Sequence, residues 1–281
     1  MAKGKLCIDI GGTKIIFAVI DKPGHIIKSK RIDTPKSKSL FLKALSDNIN
    51  NYIPFSNDII NVSIAGRVDS SGKVIVSPNL PINGFNFIEF MKRFSRKVTV
   101  ENDGNCFGIY HLYTNNLKDY KSGLTVVWGT GIGSSIIYSG RIYKGGGFAT
   151  ESGHMVYDYR TGKDIENEIG GKSIKQIYGM DGFNLHKLAE KGDKNALNAF
   201  QEIGRKFGLY LSSMIFVLDP EVIIIGGSFA NSWKFMKDSV YSVINNRKIR
   251  KKIAIKIARG KFYVVRGCYF IDEYENSNNK L

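Results

Sequence analysis

An apolar run, a glycine-rich turn and a second apolar run follow one another at two distant places in this chain. The first is Lys5 to Ile8, then Asp9-Ile10-Gly11-Gly12-Thr13-Lys14, then Ile15 to Ile20; the second is Leu124 to Trp128, then Gly129-Thr130-Gly131-Ile132-Gly133, then Ser134 to Tyr138. Short apolar runs bounded by glycine read as buried strands, so each place predicts a β-hairpin. A pattern that recurs this far apart predicts two lobes of related build, each offering its hairpin to one shared ligand.

Glycine suits such a turn because a side chain would keep a phosphate from the backbone N–H groups, and because tight turns often need a positive φ. Asp9, beside the first turn, is a hard oxygen donor that could hold Mg²⁺ directly or through water. An ordinary hairpin with glycines in its turn accounts equally well for either stretch taken alone. Spacing removes two other phosphate motifs. G-x-x-x-x-G-K-[ST] appears nowhere, and Gly129, Gly131 and Gly133 break the G-x-G-x-x-G pattern and lead into a strand instead of a helix.

At 281 residues the chain is long enough for two lobes of about 100 to 150 residues each. No apolar run approaches the roughly 18 residues that span a bilayer, and Met1-Ala2-Lys3-Gly4-Lys5 leads straight into a strand, so no membrane partner and a cytoplasmic location are expected. Cys7, Cys106 and Cys268 lack C-x-x-C spacing and predict three reduced, mostly buried thiols. A net charge of +16 raises the question of nucleic acid. The dense basic run Arg247 to Lys261 has no aromatic platform, and its second half alternates apolar and basic residues as a half-exposed strand does, so a solvated face is expected and no nucleic-acid partner.

Along the first lobe the pattern predicts strands at the hairpin and around His25 to Ile32, and a helix over Lys38 to Tyr52 with Leu40, Leu42, Leu45 and Ile49 near one face, closed by Pro54. It continues with a strand at Ile59 to Ile64, a Ser70 to Lys73 turn before Val74 to Val76, a helix over Phe87 to Phe94 and a strand over Lys97 to Val100. That β-β-β-α-β-α-β order belongs to an α/β lobe with a mixed sheet. The later part predicts helices near Ile174 to Gln176, Asp193 to Leu218 and Ser232 to Asn245, and a strand Val222 to Ile225 ending at Gly226-Gly227-Ser228.

Five motifs come in one order: Asp9 to Lys14, Glu101-Asn102-Asp103-Gly104-Asn105, Gly129 to Gly133, Glu151-Ser152-Gly153-His154-Met155, and Asp219 to Gly227. In that order the chain resembles the ROK family of sugar kinases, from about Lys5 to Ile271. The resemblance implies an α/β, two-lobed actin/hexokinase-like (ribonuclease H-like) ATPase fold with mixed β-sheets flanked by helices. It places a small lobe at 1–115, joined by a C-terminal helix over 264–281, and a large lobe at 116–263. The implied activity is ATP- and Mg²⁺-dependent phosphorylation of a sugar hydroxyl. Asp103 matches the family's catalytic base, and Asn102 the residue holding neighbouring sugar hydroxyls. Glu151 and His154 match sugar ligands, and Glu166 a glutamate that reaches the anomeric end, with Glu168 as its alternative across a shortened loop. Gly11, Gly12, Thr13 and Lys14, with Gly129, Thr130 and Gly131, match the phosphate hairpins, and Gly226 and Gly227 the adenosine-side turn. Asn79 and Gly66 complete the implied sugar side. Read without the resemblance, Glu-Asn-Asp after a strand is a turn or a helix N-cap, and His154 a packed histidine.

The chain departs from the family after His154. Most members carry C-x-C-G-x-x-G-C-x-E there, whose thiolates hold zinc with the histidine, whereas Met155 to Ile165 contains no cysteine. No zinc is expected, and His154 must be oriented by a hydrogen bond instead. Gly66-Arg67-Val68, with Asp103-Gly104-Asn105-Cys106, resembles the acetamido-sugar branch, in which an Arg67 fork would donate to an acetamido carbonyl. N-acetylmannosamine is therefore the first substrate expected and N-acetylglucosamine the second, with glucose or other hexoses as the alternative. ROK repressors carry a helix-turn-helix before the first hairpin, and with that hairpin beginning at Asp9 a repressor is not expected. A non-catalytic sugar sensor would have little reason to combine Asp103 with both hairpins. Family members are often dimers, so a homodimer is expected.

Overall fold

The structure, a computed structural model, describes residues 3–69, 71–114, 116–117, 119–146, 150–249, 253–260 and 262–278. Ser70 of the expected turn, 250–252 and 261 of the basic run, and 279–281 of the expected C-terminal helix lie outside the described residues. The chain forms two compact units, one of Met1–Lys118, Lys144–Phe148 and Lys261–Leu281, the other of Asp119–Tyr143 and Ala149–Gly260.

The first unit opens with β1 (Gly4–Ile10), β2 (Lys14–Lys22), β3 (His25–Asp33), α1 (Lys38–Tyr52) and β4 (Ser56–Ile64). A small hairpin of β5 (Arg67–Val68) and β6 (Val74–Val76) follows, then α2 (Phe87–Met91), β7 (Lys97–Asn102) and α3 (Asp103–Tyr113). The second unit has β8 (Ser122–Trp128), β9 (Ile132–Tyr138), β10 (Arg141–Ile142), β11 (Val156–Asp158) and β12 (Lys163–Asp164). Its helices are α4 (Ile165–Ile169), α5 (Gly171–Tyr178), α6 (Gly182–Glu190), α7 (Lys194–Leu218) and α8 (Trp233–Asn246), with β13 (Val222–Gly226) before α8 and β14 (Ala254–Ile257) after it. The chain ends in the first unit with α9 (Tyr263–Cys268) and α10 (Ile271–Asn278).

The two large sheets have orders β3-β2-β1-β4-β7 and β10-β9-β8-β13-β14. In each, an antiparallel glycine hairpin lies beside two further strands parallel to its first strand. The same wiring thus occurs twice, as the repeat of apolar run, glycine turn and apolar run predicts. Leu6, Ile8, Ile10, Ile15, Phe17 and Val19 of the first hairpin are buried against Phe41, Leu45 and Ile49 of α1. In the second unit Trp128 stacks on Phe207 of α7 and on Phe229, with centroids 4.2 and 5.2 Å away. Burial of aromatic surface on this scale dominates core energetics.

Several local expectations need correction. Leu40 is 60% exposed, and the buried face of α1 is Phe41, Leu45, Asn48, Ile49 and Tyr52. The helix at Phe87 stops at Met91, and the segment after 263 is two helices instead of one. Helix α6 is present where none was expected, and Asn102 caps α3, the helix N-cap that Glu-Asn-Asp allows. The half-exposed strand expected within the basic run is β14, an edge strand beside β13. Cys7, Cys106 and Cys268 are free and buried, and burial pushes all three thiols well above their ordinary range. No helix among the described residues is long and apolar enough to cross a membrane.

Candidate active site

In the first unit the parallel register pairs Asp9 with Ser63 and Ser63 with Glu101, and one step later Ile10 with Ile64 and Ile64 with Asn102. The C-terminal ends of β1, β4 and β7 therefore carry Gly11–Gly12, Gly66–Arg67 and Asn102–Asp103 along one sheet edge. Ligands of open α/β sheets bind at such edges.

The turn after β1 is closed by the Gly11 amide, which donates to Lys14 O at 3.0 Å, and is tied back to the following loop through its carbonyls. Thr34 Oγ1 donates to Gly11 O at 2.7 Å, Lys36 Nζ to Gly12 O at 2.7 Å, and the Thr34 amide to Thr13 O at 3.1 Å. The Gly12 and Thr13 amides donate to no described residue. Asn79 packs on the turn so closely that a Cβ on Gly12 would come within 2.5 Å of the Asn79 Cβ.

Asp9 is half-buried at the end of β1, and Ser63 Oγ donates to its Oδ1 at 3.1 Å. Burial pushes its carboxyl up to about 6, against the opposing pull of Ser63 and of the Lys14 charge. A desolvated carboxylate whose charge is so incompletely compensated fits a divalent cation, which would restore the ionised form.

Asn102 joins two parts of this edge. Its side chain caps α3 by accepting from the Asn105 amide at 3.1 Å, and its Nδ2 donates to Gly66 O at 3.0 Å, tying the helix start to the Gly66–Arg67 turn. Asp103 is the first residue of α3, half-buried, with Oδ1 accepting from the Gly104 amide at 2.9 Å. Arg67, half-buried, lies in the two-residue strand paired with Val76.

The second unit repeats the hairpin chemistry with other partners. The Gly171 and Lys172 amides, at the start of α5, donate to Gly129 O and Thr130 O at 3.0 and 3.1 Å, and the Gly129 amide closes the turn onto Gly131 O at 2.9 Å. The Thr130 and Gly131 amides donate to no described residue. Both hairpins thus have anchored carbonyls and open N–H groups, the arrangement that cradles anions. On the neighbouring strand Gly226 pairs with Val127, and Gly227 has φ +90°, where a Cβ would run into Trp128 O. The Gly226–Gly227 turn is therefore pressed against the end of β8.

Glu166 Oε2 accepts from the Ile132 amide at 2.8 Å and fills the space that a Gly131 side chain would need. His154 Nδ1 lies 2.9 Å from Asp164 Oδ2, while Asp164 Oδ1 caps α4 by accepting from the Asn167 amide at 2.7 Å. Burial pulls the imidazole pKa down, but the hydrogen bond to Asp164 and the charges of Glu166, Asp164 and Glu151 outweigh it, and the net shift is upward. The hydrogen bond expected to orient His154 is thus made to Asp164. Glu168 instead pairs with Lys206 of α7 at 2.7 Å, so of those two it is Glu166 that shares the surroundings of His154. Among the described residues no three His, Cys, Asp or Glu side chains converge on a metal-sized site.

Thr34, Lys36, Ser63 and Asp164 were not singled out in the sequence. Thr34-Pro35-Lys36 reads as a loop, and only its return onto the first hairpin gives it a role. Asp164, three residues before Asn167, carried an N-cap signal.

The sequence profile of the ROK family matches residues 5–259, and the chain belongs to that family. It is 24% identical over 255 residues to an N-acetyl-D-glucosamine kinase of Photobacterium profundum, covering 79% of this chain and 83% of the relative. The fold is the actin/hexokinase-like one. It superposes on a ROK glucokinase of Streptomyces griseus solved with glucose and AMPPNP, with a TM-score of 0.83, 21% identity and coverage of 94% of this chain and 97% of that one. A candidate N-acetylmannosamine kinase of Listeria monocytogenes gives a TM-score of 0.82 at 21% identity, covering 98% of this chain and 99% of that one.

Proposed function

We propose that the protein is a sugar kinase that transfers the γ-phosphoryl group of ATP to the 6-hydroxyl of an N-acetylhexosamine, N-acetylmannosamine first and N-acetylglucosamine second. The observation that carries this is the pair of glycine hairpins, each with its carbonyls tied back and its amides open, at equivalent places in two sheets of the same topology. Family membership and the N-acetyl-D-glucosamine kinase relatives support the kinase class.

In this mechanism Asp103 accepts the proton of the 6-hydroxyl as its oxygen attacks the γ-phosphorus. The bond from that phosphorus to the β-bridging oxygen breaks, and ADP leaves. The amides of Gly12, Thr13, Thr130 and Gly131 donate to the phosphate oxygens as charge develops, and the Gly226–Gly227 turn admits the adenosine. Asp9 is the residue that would hold Mg²⁺, directly or through water, and the bound ion would supply screening of the triphosphate charge. Asn102, tied to Gly66, holds sugar hydroxyls on the side of Asp103, while Glu151, His154 and Glu166 serve as further sugar ligands, with Asn79 beside the first hairpin. A raised His154 pKa favours an imidazolium that donates to a sugar oxygen. No zinc is needed for that orientation, because Asp164 supplies it.

Arg67 sets the acceptor by donating to an acetamido carbonyl at C2, which a bare hydroxyl does not require. A coupled assay with glucose, mannose, N-acetylglucosamine and N-acetylmannosamine is expected to rank an N-acetylhexosamine first by at least about tenfold in kcat/KM, about 1.4 kcal/mol. Glucose turned over at an equal rate would remove the role of Arg67 and leave a general hexokinase. Binding of sugar with no ATP turnover would leave a sensor.

The protein acts as a homodimer. This is supported by exposed Leu209, Phe216 and Val217 on α7 and by exposed Met155, Val156 and Tyr159 in the second unit. Light scattering at micromolar concentration is expected to give twice the 31.4 kDa chain mass; a monomer mass would refute it.

A further inference from the structure

One buried carboxylate beside the candidate base has no part in the chemistry above. Glu101, only 7% exposed in its side chain, immediately precedes Asn102 and Asp103. Its Oε1 accepts from the Asn102 amide at 2.8 Å and from Asn105 Nδ2 at 3.0 Å, so it fixes the strand-to-helix corner from inside. Its Oε2 meets Lys144 Nζ at 2.5 Å. Lys144 opens the Lys144–Phe148 segment, which belongs to the first unit although the residues on either side of it belong to the second.

We infer that Lys144 is a positioning residue for Asp103: its ammonium neutralises buried Glu101, and Glu101 in turn fixes the backbone that carries Asn102 and Asp103. The inference rests on Asp103 being the base of a sugar kinase. Burial works against the Lys144 charge, but Glu101 first and then Glu275 and Tyr274 outweigh it, and its pKa is raised. Glu275 of α10 faces the same pair; burial raises its carboxyl, with Lys144 opposing and Glu101 and Asp272 adding to the rise. Cys106 of α3 also senses Glu101, and its thiol is held neutral by burial. Lys144 is thus a cation that Glu101 and Glu275 share. Without it the corner must be built on an uncompensated buried carboxylate, a costly arrangement that favours displacement of the side chain.

In Lys144→Met the Glu101 carboxylate loses the ammonium at its Oε2 and stays buried with the Asn102 and Asn105 donors alone. Steady-state kinetics with saturating N-acetylhexosamine and ATP are expected to show kcat of Lys144→Met reduced at least about tenfold, with sugar KM changed less than about threefold. Lys144→Arg should keep the wild-type kcat. In the double variant, Glu101→Gln supplies an uncharged acceptor and should restore most of kcat. A Lys144→Met as fast as wild type, or a double variant no faster than the single one, would overturn the positioning role while wild type remains active. A wild type that phosphorylates none of the sugars would instead overturn the kinase assignment, and the positioning role with it. Melting temperatures of the same proteins read the ion pair without activity: the deficit of Lys144→Met should be absent from the double variant.

Discussion

Asp103→Asn is expected to leave sugar binding within about threefold of wild type while cutting turnover at least about 10²-fold, the usual share of a general base. The substitution is close to isosteric. An asparagine Oδ1 can still accept from the Gly104 amide, the bond that Asp103 makes at 2.9 Å, so the start of α3 keeps its geometry. Asn102 keeps its cap on Asn105 and its tie to Gly66, so the sugar-side hydrogen bonds of that corner are also retained. What disappears is the capacity to take a proton. Calorimetric titration of sugar binding, run beside a coupled assay of ADP release, separates the two effects. Near-normal turnover would remove Asp103 as base, and a parallel collapse of sugar affinity would mean that its role is binding.

Asp9→Asn should make the ligand-free protein more stable at pH 8 and unable to use Mg–ATP well. The folded carboxyl lies near 6, above its ordinary 3.8, because burial disfavours the charged form more than Ser63 and Lys14 favour it. For a carboxyl raised in this way, the favourable contribution of the proton is complete below about 3.8 and is lost as pH rises through about 6. Above that pH the folded state carries an ionised, poorly solvated Asp9, a cost of up to about 3 kcal/mol at about 1.4 kcal/mol per pH unit. Asparagine removes that cost, and Ser63 Oγ remains as a partner for its side chain. The gain should therefore be large at pH 8 and vanish near pH 4. Added Mg–ATP should raise the melting temperature of wild type far more than that of the variant. A variant less stable than wild type at pH 8 would show that Asp9 is compensated in the folded protein, and a variant equally stabilised by Mg–ATP would show that the ion is held elsewhere.

Strands and the paired hairpins were legible because their signals are local and strong. Runs such as Leu6 to Ile10 and Val222 to Ile225 have little choice but to be buried, and glycine at their ends punctuates them. Beyond its N-cap, helix α3 was illegible for the converse reason. Gly104, Asn105 and Gly108 are weak helix formers, and the helix is held by burial of Cys106, Phe107 and Ile109 and by the Asn102 cap. The face of α1 was missed by about one position: Phe41, Leu45, Asn48, Ile49 and Tyr52 follow helical spacing, and Leu40 lies about 100° away from Phe41. The C-terminal segment broke into two helices at Tyr269–Phe270, just after Gly267, a glycine that also lets α9 approach the Cys106 backbone.

Local chemistry settles which turns can accept a phosphate, where a carboxylate follows a strand, and that no thiolate stands in the loop after His154. Packing alone decides which hydrogen-bonding groups remain available. Thr34 and Lys36 occupy the carbonyls of the first hairpin and α5 those of the second, so the amides stay open. Ser63 gives Asp9 one hydrogen bond but not enough to offset burial, Asp164 orients His154, and Lys144 meets Glu101 across a sequence separation that no motif spans. The division has one cause. Turn conformation depends on neighbours along the chain, whereas desolvation and competition for hydrogen bonds depend on which remote segments arrive, and those are known only once the chain has folded.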